Sequence, residues 1–188
     1  MNPPRDNLPL KMARRSLDEI PEFVLPAGFS LRWYQPGDEA HWRRIHLAAE
    51  RFLEITPGLF AEQFSAGGRC ENQPSALSER QCYLLDPRGE VIGTGAAWFG
   101  EMEGARWGRV HWMAIVPEFQ RRGLGKVLMT AICRQLRELG HDRAYLHTSA
   151  ARIQAIRLYL KFGFKPMSRN AEEEAAWRNL FAALRVAR

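Results

Sequence analysis

The sequence predicts an α/β fold, with a mixed, mostly antiparallel central sheet and flanking helices. Two patterns indicate this class. Between residues 109 and 161 the apolar periodicity runs strand, helix, strand, helix, which is typical of a parallel crossover unit. Upstream, two apolar segments joined by Pro87-Arg88-Gly89 indicate an antiparallel hairpin. The chain has 188 residues, 46% of them hydrophobic, which is enough for one ordinary core.

The N-terminal segment, residues 1–28, is rich in proline and poor in large apolar residues. We therefore expect a mobile or loosely packed arm, followed by one domain over residues 29–188. Alternation at residues 29–34 predicts the first strand of that domain. Residues 40–52 place apolar side chains at helical spacing and predict the first helix.

The remaining elements follow from the same two periodicities. Residues 56–80 show no single periodicity: Pro57-Gly58 indicates a turn, and a short helical run follows it. Apolar strands are predicted at residues 81–86, 90–99, 109–116 and 143–148. Amphipathic helices are predicted at residues 124–139, 150–161 and 171–186, and the last is expected to pack on its own domain.

The turn at residues 116–126 carries the clearest chemical signal. Backbone N–H groups at a helix N-terminus have no intrahelical partner and bind phosphate oxygens. Gly123 and Gly125 lack the Cβ atoms that would hold a pyrophosphate away from these amides. Three cations stand in the same turn: Arg121, Arg122 and Lys126. From spacing alone, a glycine turn with a solvated charged rim explains the pattern equally well.

Two common phosphate-binding motifs do not fit this turn. The Walker loop would need glycine where Gln120 stands and a hydroxyl residue where Val127 stands. The dinucleotide fingerprint would need its third glycine at Leu128.

Two segments together resemble the GNAT superfamily of N-acetyltransferases. Gln120-Arg121-Arg122-Gly123-Leu124-Gly125 matches its acyl-CoA signature, Gln/Arg-x-x-Gly-x-Gly/Ala. Residues 155–164, Ala-Ile-Arg-Leu-Tyr-Leu-Lys-Phe-Gly-Phe, match its Ala-x-x-Leu-Tyr-x-x-x-Gly-Phe block. The resemblance covers residues 29–164. It implies a sheet that splays between its fourth and fifth strands, with residues 109–116 and 143–148 in those two places.

The resemblance also implies acetyl-CoA as co-substrate, with no metal. The backbone groups that would hold the pantetheine arm belong to Met113, Ala114, Ile115 and Val116. The turn residues that would hold the pyrophosphate are Gln120, Arg121, Arg122, Gly123, Leu124, Gly125 and Lys126. Arg152 stands where the family often has asparagine, so that its guanidinium would contact a phosphate instead.

Direct transfer to an amine needs a proton donor for the departing thiolate and an acceptor for the amine proton. Tyr159 occupies the family's acid position, although an aromatic side chain packed in the core would look the same. His111 is a candidate base, because alternation puts it on the same face as Met113. A structural histidine is the alternative. Some arylalkylamine acetyltransferases of the superfamily carry histidine here, and others carry a glutamate at the position of Arg109.

Two further carboxylates, Glu101 and Glu103, precede the predicted fourth strand and are additional catalytic candidates. Trp98, Trp107 and Trp112 crowd the same region, which weakly favours a small amine with an apolar or aromatic part, although tryptophans are common in cores.

Composition excludes several other classes. The net charge of +6 is spread along the chain, so we expect no nucleic-acid partner. No apolar run approaches the ~20 residues of a membrane span. Three widely spaced cysteines indicate a reducing, cytoplasmic compartment. The histidines and cysteines lack zinc-site spacing, and the hydrolase elbow Gly-x-Ser-x-Gly is absent.

These observations predict an acetyl-CoA-dependent N-acetyltransferase that moves the acetyl group directly to an amine of a small molecule or a peptide, as a monomer or homodimer. The alternative from another class is a non-catalytic acyl-CoA-binding sensor or assembly module.

Overall fold

The computed structural model describes residues 7–65 and 73–186, and within them one seven-stranded sheet is flanked by six α-helices. The strands are β1 (Pro9–Arg14), β2 (Ser30–Trp33), β3 (Gln81–Leu85), β4 (Val91–Met102), β5 (Ala105–Ile115), β6 (Ala144–Ser149) and β7 (Lys165–Met167). The helices are α1 (Glu39–Ala49), α2 (Leu59–Ser65), α3 (Gln73–Arg80), α4 (Leu124–Glu138), α5 (Ile153–Lys161) and α6 (Ala171–Val186).

The sheet has the strand order β2-β3-β4-β5-β6-β1-β7, and β5 and β6 are its parallel neighbours. All its other neighbouring strands run antiparallel. The strand β5, the helix α4 and the strand β6 therefore form the predicted crossover unit, and the predicted fold class is confirmed.

The sheet opens between β5 and β6. These strands pair only at Gly108 with Ala144 and at Arg109 with Tyr145. Beyond Arg109, the edge of β5 that faces β6 has no ladder partner among the described strands, although β5 continues to Ile115. The opening lies at the two predicted strands, which are fifth and sixth in this chain because β1 precedes them.

The N-terminal segment differs from the expectation of a loosely packed arm. Residues 9–14 form β1, which is inserted between β6 and β7. Leu10 and Met12 are buried in the core, and Leu17 and Ile20 follow them there. Proline misled the prediction, since Pro9 stands at the first strand position, where no ladder N–H is needed. In addition, β1 is short, and its partner strands β6 and β7 come much later in the sequence, so no local pattern indicates the pairing.

Helices cover both faces of the sheet beside the opening. On one face, the buried side chains of α4 pack against the strands. Leu136 is so close to β5 that its Cδ2 lies 2.9 Å from the position that a Cβ would take on Gly108. On the other face, α1 and α2 pack on β4 and β5, with Phe64 against Trp98. Trp177 of α6 is buried in the same core. The last helix therefore packs on its own domain, as expected.

Trp98 and Trp107 are fully enclosed core residues, so they do not shape an acceptor site. Cys82 and Cys133 are buried free thiols, whereas Cys70 lies outside the described residues. Among the described helices, none combines the length and apolar character that crossing a membrane requires.

Candidate functional site

The strand β5 is irregular beside the opening. Thr94 of β4 pairs with Ala114, and Ala96 pairs with His111, so that two β5 residues oppose Gly95. Such a bulge bends the strand and re-aims its side chains. Trp112 in the bulge has a φ of 43°, a left-handed conformation that is uncommon for a bulky residue.

The bulge reverses one expectation from alternation. Met113 extends toward α4. Its Cγ lies 3.0 Å from the position that a Cβ would take on Gly95, and Ile132 of α4 borders the same position. His111 instead contacts Phe64 of α2, with ring centroids 5.4 Å apart. The two side chains that were predicted to share a face therefore lie on opposite faces.

Residues 121–125, here called the amide cradle, connect the end of β5 to α4. The turn hydrogen bonds around the cradle are donated by the amides of Phe119, Gln120 and Lys126. The cradle amides thus have no backbone acceptor in the described chain. Arg121 and Gly123 have φ of 63° and 82° and are left-handed, a conformation that recurs in backbone turns whose N–H groups bind anions.

The surface above the cradle is open. A Cβ added at Gly123 would meet nothing within 4 Å, and one at Gly125 would lie 3.5 Å from Leu158 of α5. Gln120 anchors the turn, because its side-chain amide donates to the Ile115 carbonyl at 2.7 Å. Unpaired amides, open space and adjacent cations fit the diphosphate of a nucleotide-type cofactor.

The cations of this turn are held at its rim. Arg121 and Arg122 are exposed, and the guanidinium of Arg122 lies 4.8 Å from the ring centroid of Phe119. The Lys126 ammonium lies 5.4 Å from the ring centroid of Phe23. All three remain near the cradle without a carboxylate partner among the described residues.

Arg152 is already paired with a carboxylate, and its predicted contact with a phosphate stays a prediction. Its guanidinium forms an ion pair with Glu50 at 2.6 Å and lies over the ring of Phe52. The Glu50 carboxylate is almost entirely buried, so Arg152 is the counter-ion of an interior charge. Sequence inspection did not find Glu50, because it lies at the end of α1, far along the chain.

Tyr159 lies in α5 and directly follows Leu158, whose side chain borders Gly125 of the cradle. Its ring is buried, and its centroid lies 6.5 Å from that of Phe164. Burial raises the pKa of Tyr159, against a smaller opposing effect of Arg152. The phenol is therefore protonated at neutral pH.

His111 is a buried histidine under α2, and its Nε2 lies 3.4 Å from the carbonyl oxygen of Gln63. Burial, together with the charge of Arg109, lowers the pKa of His111 well below its ordinary value. The imidazole is neutral and enclosed, which is the environment of a structural histidine.

Glu101 and Glu103 lie at the other end of the β4–β5 hairpin. Glu101 pairs with Arg106, and Glu103 is in the turn with its carboxylate bound to Arg15 at 2.8 Å. At about 3.3 Å per residue, Arg106 is roughly 20 Å along β5 from the bulge at Trp112. The structure does not bring these two carboxylates to the opening.

Two groups beside the opening were missed by the sequence reasoning. His46 of α1 is buried against Trp42 and Trp112, with ring centroids 4.3 and 5.0 Å away, and burial lowers its pKa to about 4. His147 of β6 has its Nδ1 3.2 Å from an Arg109 nitrogen. Neither contact leaves a spacing signal in the sequence. No group of three or more potential metal ligands comes together in the described part.

Comparison with known proteins identifies this arrangement. The model of the acetyltransferase (GNAT) family matches residues 38–164. The chain belongs to this family. The GNAT match spans both motifs, the opening and α5, and it confirms the resemblance inferred from the sequence.

Curated relatives and solved structures agree with the GNAT assignment. The mycothiol acetyltransferase of Pseudarthrobacter chlorophenolicus is 30% identical over 176 residues, 86% of this chain and 50% of that protein. The mycothiol acetyltransferase of Nocardia farcinica is 32% identical over 167 residues, 81% of this chain and 51% of that protein. This chain thus spans about half the length of these relatives. A GCN5-related N-acetyltransferase from Sphaerobacter thermophilus shares the fold, with a TM-score of 0.62, 20% identity and coverage of 88% of this chain and 50% of that one.

Proposed function

We propose that this GNAT domain transfers the acetyl group of acetyl-CoA directly to an amine. The observation that carries the proposal is a juxtaposition at the sheet opening. The amide cradle follows the unpaired edge of β5, and Leu158 of α5, the neighbour of Tyr159, lies 3.5 Å from the position that a Cβ would take on Gly125. Family membership supports the same chemistry.

The residues have separate tasks in this proposal. Acetyl-CoA supplies an activated thioester. The cradle amides and Lys126 would hold the pyrophosphate, and Gln120 positions the turn through its bond to the Ile115 carbonyl. The backbone of residues 113–116 would hold the pantetheine along the free edge of β5. Tyr159 keeps its proton at neutral pH because burial raises its pKa, so its hydroxyl can protonate the departing thiolate.

We assign no side chain as the base: the acceptor reacts as the free amine, and its proton passes to bulk solvent after transfer. His111 is enclosed under α2, with its Nε2 3.4 Å from the Gln63 carbonyl oxygen, so it is not assigned as the base. Its packing under α2 instead keeps the bulge of β5 in position.

The acceptor class is an amine of a small molecule or a peptide. The names of the curated relatives connect their acetyl transfer to mycothiol, but this chain matches only about half of each. A cytoplasmic location is part of the proposal and rests on the cysteine content. The competing function, a sensor that binds acyl-CoA without transferring it, uses the same cradle but does not need Tyr159.

Calorimetric titration with acetyl-CoA and a transfer assay on a panel of amines test the proposal. Wild type should bind acetyl-CoA, and Gly123→Glu should lose binding, because a carboxylate would occupy the cradle. Arg88→Gln, in the exposed β3–β4 turn, is the control for a changed charge. Tyr159→Phe should bind normally and transfer about 10²-fold more slowly. Absence of wild-type binding would refute the acetyl-CoA assignment, and binding without transfer to any amine would favour the sensor.

A further inference from the structure

One arginine beside the opening has no anionic partner in the part of the chain that the structure describes. Arg109 forms the last β5–β6 pair with Tyr145, where the sheet begins to splay. Its Nε is buried without a hydrogen-bond partner in the described chain, and an Nη atom contacts His147 at 3.2 Å. None of the described carboxylates lies within ion-pair distance of its guanidinium.

The surroundings of Arg109 are cationic. The ammonium of Lys11 and the guanidinium of Arg109 lie 5.5 and 5.8 Å from the ring centroid of Tyr145. Lys11 stands opposite His147 across the β1–β6 ladder. Arg169 adds positive charge near His147, but its guanidinium is paired with the Glu173 carboxylate. A weak electrostatic attraction also links Glu173 to Lys11. These four side chains (Lys11, Arg109, Tyr145 and His147) are called the cationic patch.

His147 does not neutralise the patch. His147 is exposed at the surface of β6, and partial desolvation with the charges of Arg109, Lys11 and Arg169 lowers its pKa, so the ring is neutral at pH 7. A neutral imidazole can accept a hydrogen bond from Arg109 through Nδ1 but supplies no negative charge. The cluster therefore holds two cations and no internal counter-ion.

Desolvating a cation without a partner is costly, and burial accordingly lowers the pKa of Arg109. A protein recovers that cost when an anion binds, and the planar fork of a guanidinium matches carboxylate and phosphate groups. The patch lies on the same face of β5 as His111, whose neighbour Trp112 begins the bulge at the opening. An anion held here would lie beside the point at which β5 and β6 separate.

We propose that the cationic patch binds the anionic group of the acceptor, with Arg109 as the principal contact and Lys11 as the second. The acceptor is then an amine that also carries a carboxylate or a phosphate. This inference rests on the proposed acetyl transfer for the identity of its ligand, whereas the anion site itself does not depend on transfer.

The first test measures the site without catalysis. The histidine ring signals of His147 are followed by NMR while inorganic phosphate is added. Wild type and the control Arg88→Gln should show a saturable shift, and Arg109→Gln should bind at least tenfold more weakly. Arg109→Lys, which keeps the charge but loses the fork, should be intermediate. An absent shift, or an equal one in Arg109→Gln, would overturn the proposal.

The second test measures acceptor choice in matched pairs. Phenylalanine is compared with its amide, and glucosamine 6-phosphate with glucosamine, so that the two arms separate carboxylate from phosphate. In at least one pair, wild type should have the higher kcat/KM for the amine that carries the anionic group. Arg109→Gln should reduce this preference tenfold or more, while kcat/KM for the uncharged analogue changes less than threefold. Equal losses on both members of a pair would contradict the proposal.

The two proposals fail in different ways. If wild type acetylates no amine, the transfer function fails and the phosphate titration alone decides on the patch. Should Arg109→Gln not fold, as judged by near-ultraviolet circular dichroism, Lys11→Gln provides the same comparisons at the neighbouring cation.

Discussion

The Glu50 carboxylate accepts a hydrogen bond at 2.6 Å from the guanidinium of Arg152. Glu50 ends α1 and Arg152 precedes the first residue of α5, so this contact joins two helices beside the opening. The two partners are unequally placed, because the carboxylate is 3% exposed and the arginine side chain is 37% exposed. Removing either partner should therefore have different effects.

Arg152→Gln should destabilise the domain more than Glu50→Gln. The first change leaves a buried carboxylate without its counter-ion, and with partial solvent screening it should cost about 1–3 kcal/mol. The second leaves a cation that solvent can reach. Urea unfolding of the two variants and of the double variant measures the difference, and equal costs for the single variants would contradict this account.

The contribution of Glu50 should depend on pH. Burial opposes its ionisation, but the Phe52 amide and the Arg152 guanidinium outweigh burial, so the pKa of Glu50 is lowered. A depressed folded pKa gives stability that is fully present above the unfolded value of about 4.3 and is lost as pH falls through the folded pKa. The difference in unfolding free energy between wild type and Glu50→Gln should be constant from about pH 6 to 8 and shrink below about pH 4. A difference that grows on acidification would show the opposite sign of shift.

Met12→Ala tests whether β1 belongs to the core. The Met12 side chain is 0% exposed, so the truncation should cost about 2–5 kcal/mol. Val24→Ala, at a side chain that is 92% exposed in the same N-terminal segment, should change stability by less than about 0.5 kcal/mol. Thermal and urea unfolding give both values, and similar small effects would restore the idea of a loosely packed arm.

Gly100→Ala should displace Tyr145 and so disturb the cationic patch. An added Cβ would lie 2.2 Å from the Tyr145 hydroxyl oxygen, and we expect a cost of about 1–3 kcal/mol. Tyr145→Phe removes that oxygen, so the double variant should recover most of the loss. The energies of the four proteins form a double-mutant cycle, in which simple additivity would argue against the contact.

Glu101→Gln and Glu103→Gln should leave acetyl transfer nearly unchanged. Both side chains lie at the tip of the β4–β5 hairpin, away from the opening. Steady-state kinetics should show kcat/KM within about twofold of wild type for each variant. A loss as large as that of Tyr159→Phe at either position would return that carboxylate to the reaction.

His111→Gln should act on folding more than on protonation. The buried ring packs on Phe64, so its loss should cost about 1–3 kcal/mol of stability. Because the pKa of His111 is already well below 6.5, the pH profile of kcat/KM between about 6 and 8 should keep its shape. Disappearance of an acidic limb in the variant would identify His111 as the base.

The parts of the fold and site that could be predicted are the local ones. The amide cradle and the segment around Tyr159 are contiguous motifs, and α4, α5 and α6 begin and end close to the predicted residues because their apolar stripes are regular. The parallel pairing of β5 with β6 followed from the helix between them.

The parts that could not be predicted depend on contacts between distant segments or on broken periodicity. Alternation assumes two residues per repeat, and the bulge at Trp112 and Met113 breaks it. The ion pair of Glu50 with Arg152 joins positions that no local pattern connects. The same reason hid the contact between Arg109 and His147.

The position of β1 in the sheet has a consequence for biosynthesis. Met12 pairs with Leu146 on one side and with Pro166 on the other, so both partners leave the ribosome long after β1 does. During synthesis, β1 therefore has no ladder partner among the described strands until β6 has emerged. Closure of the sheet is thereby deferred until β6 and β7 have been made, and a ribosome stalled before β6 would carry a nascent chain whose apolar strand β1 is available to chaperones.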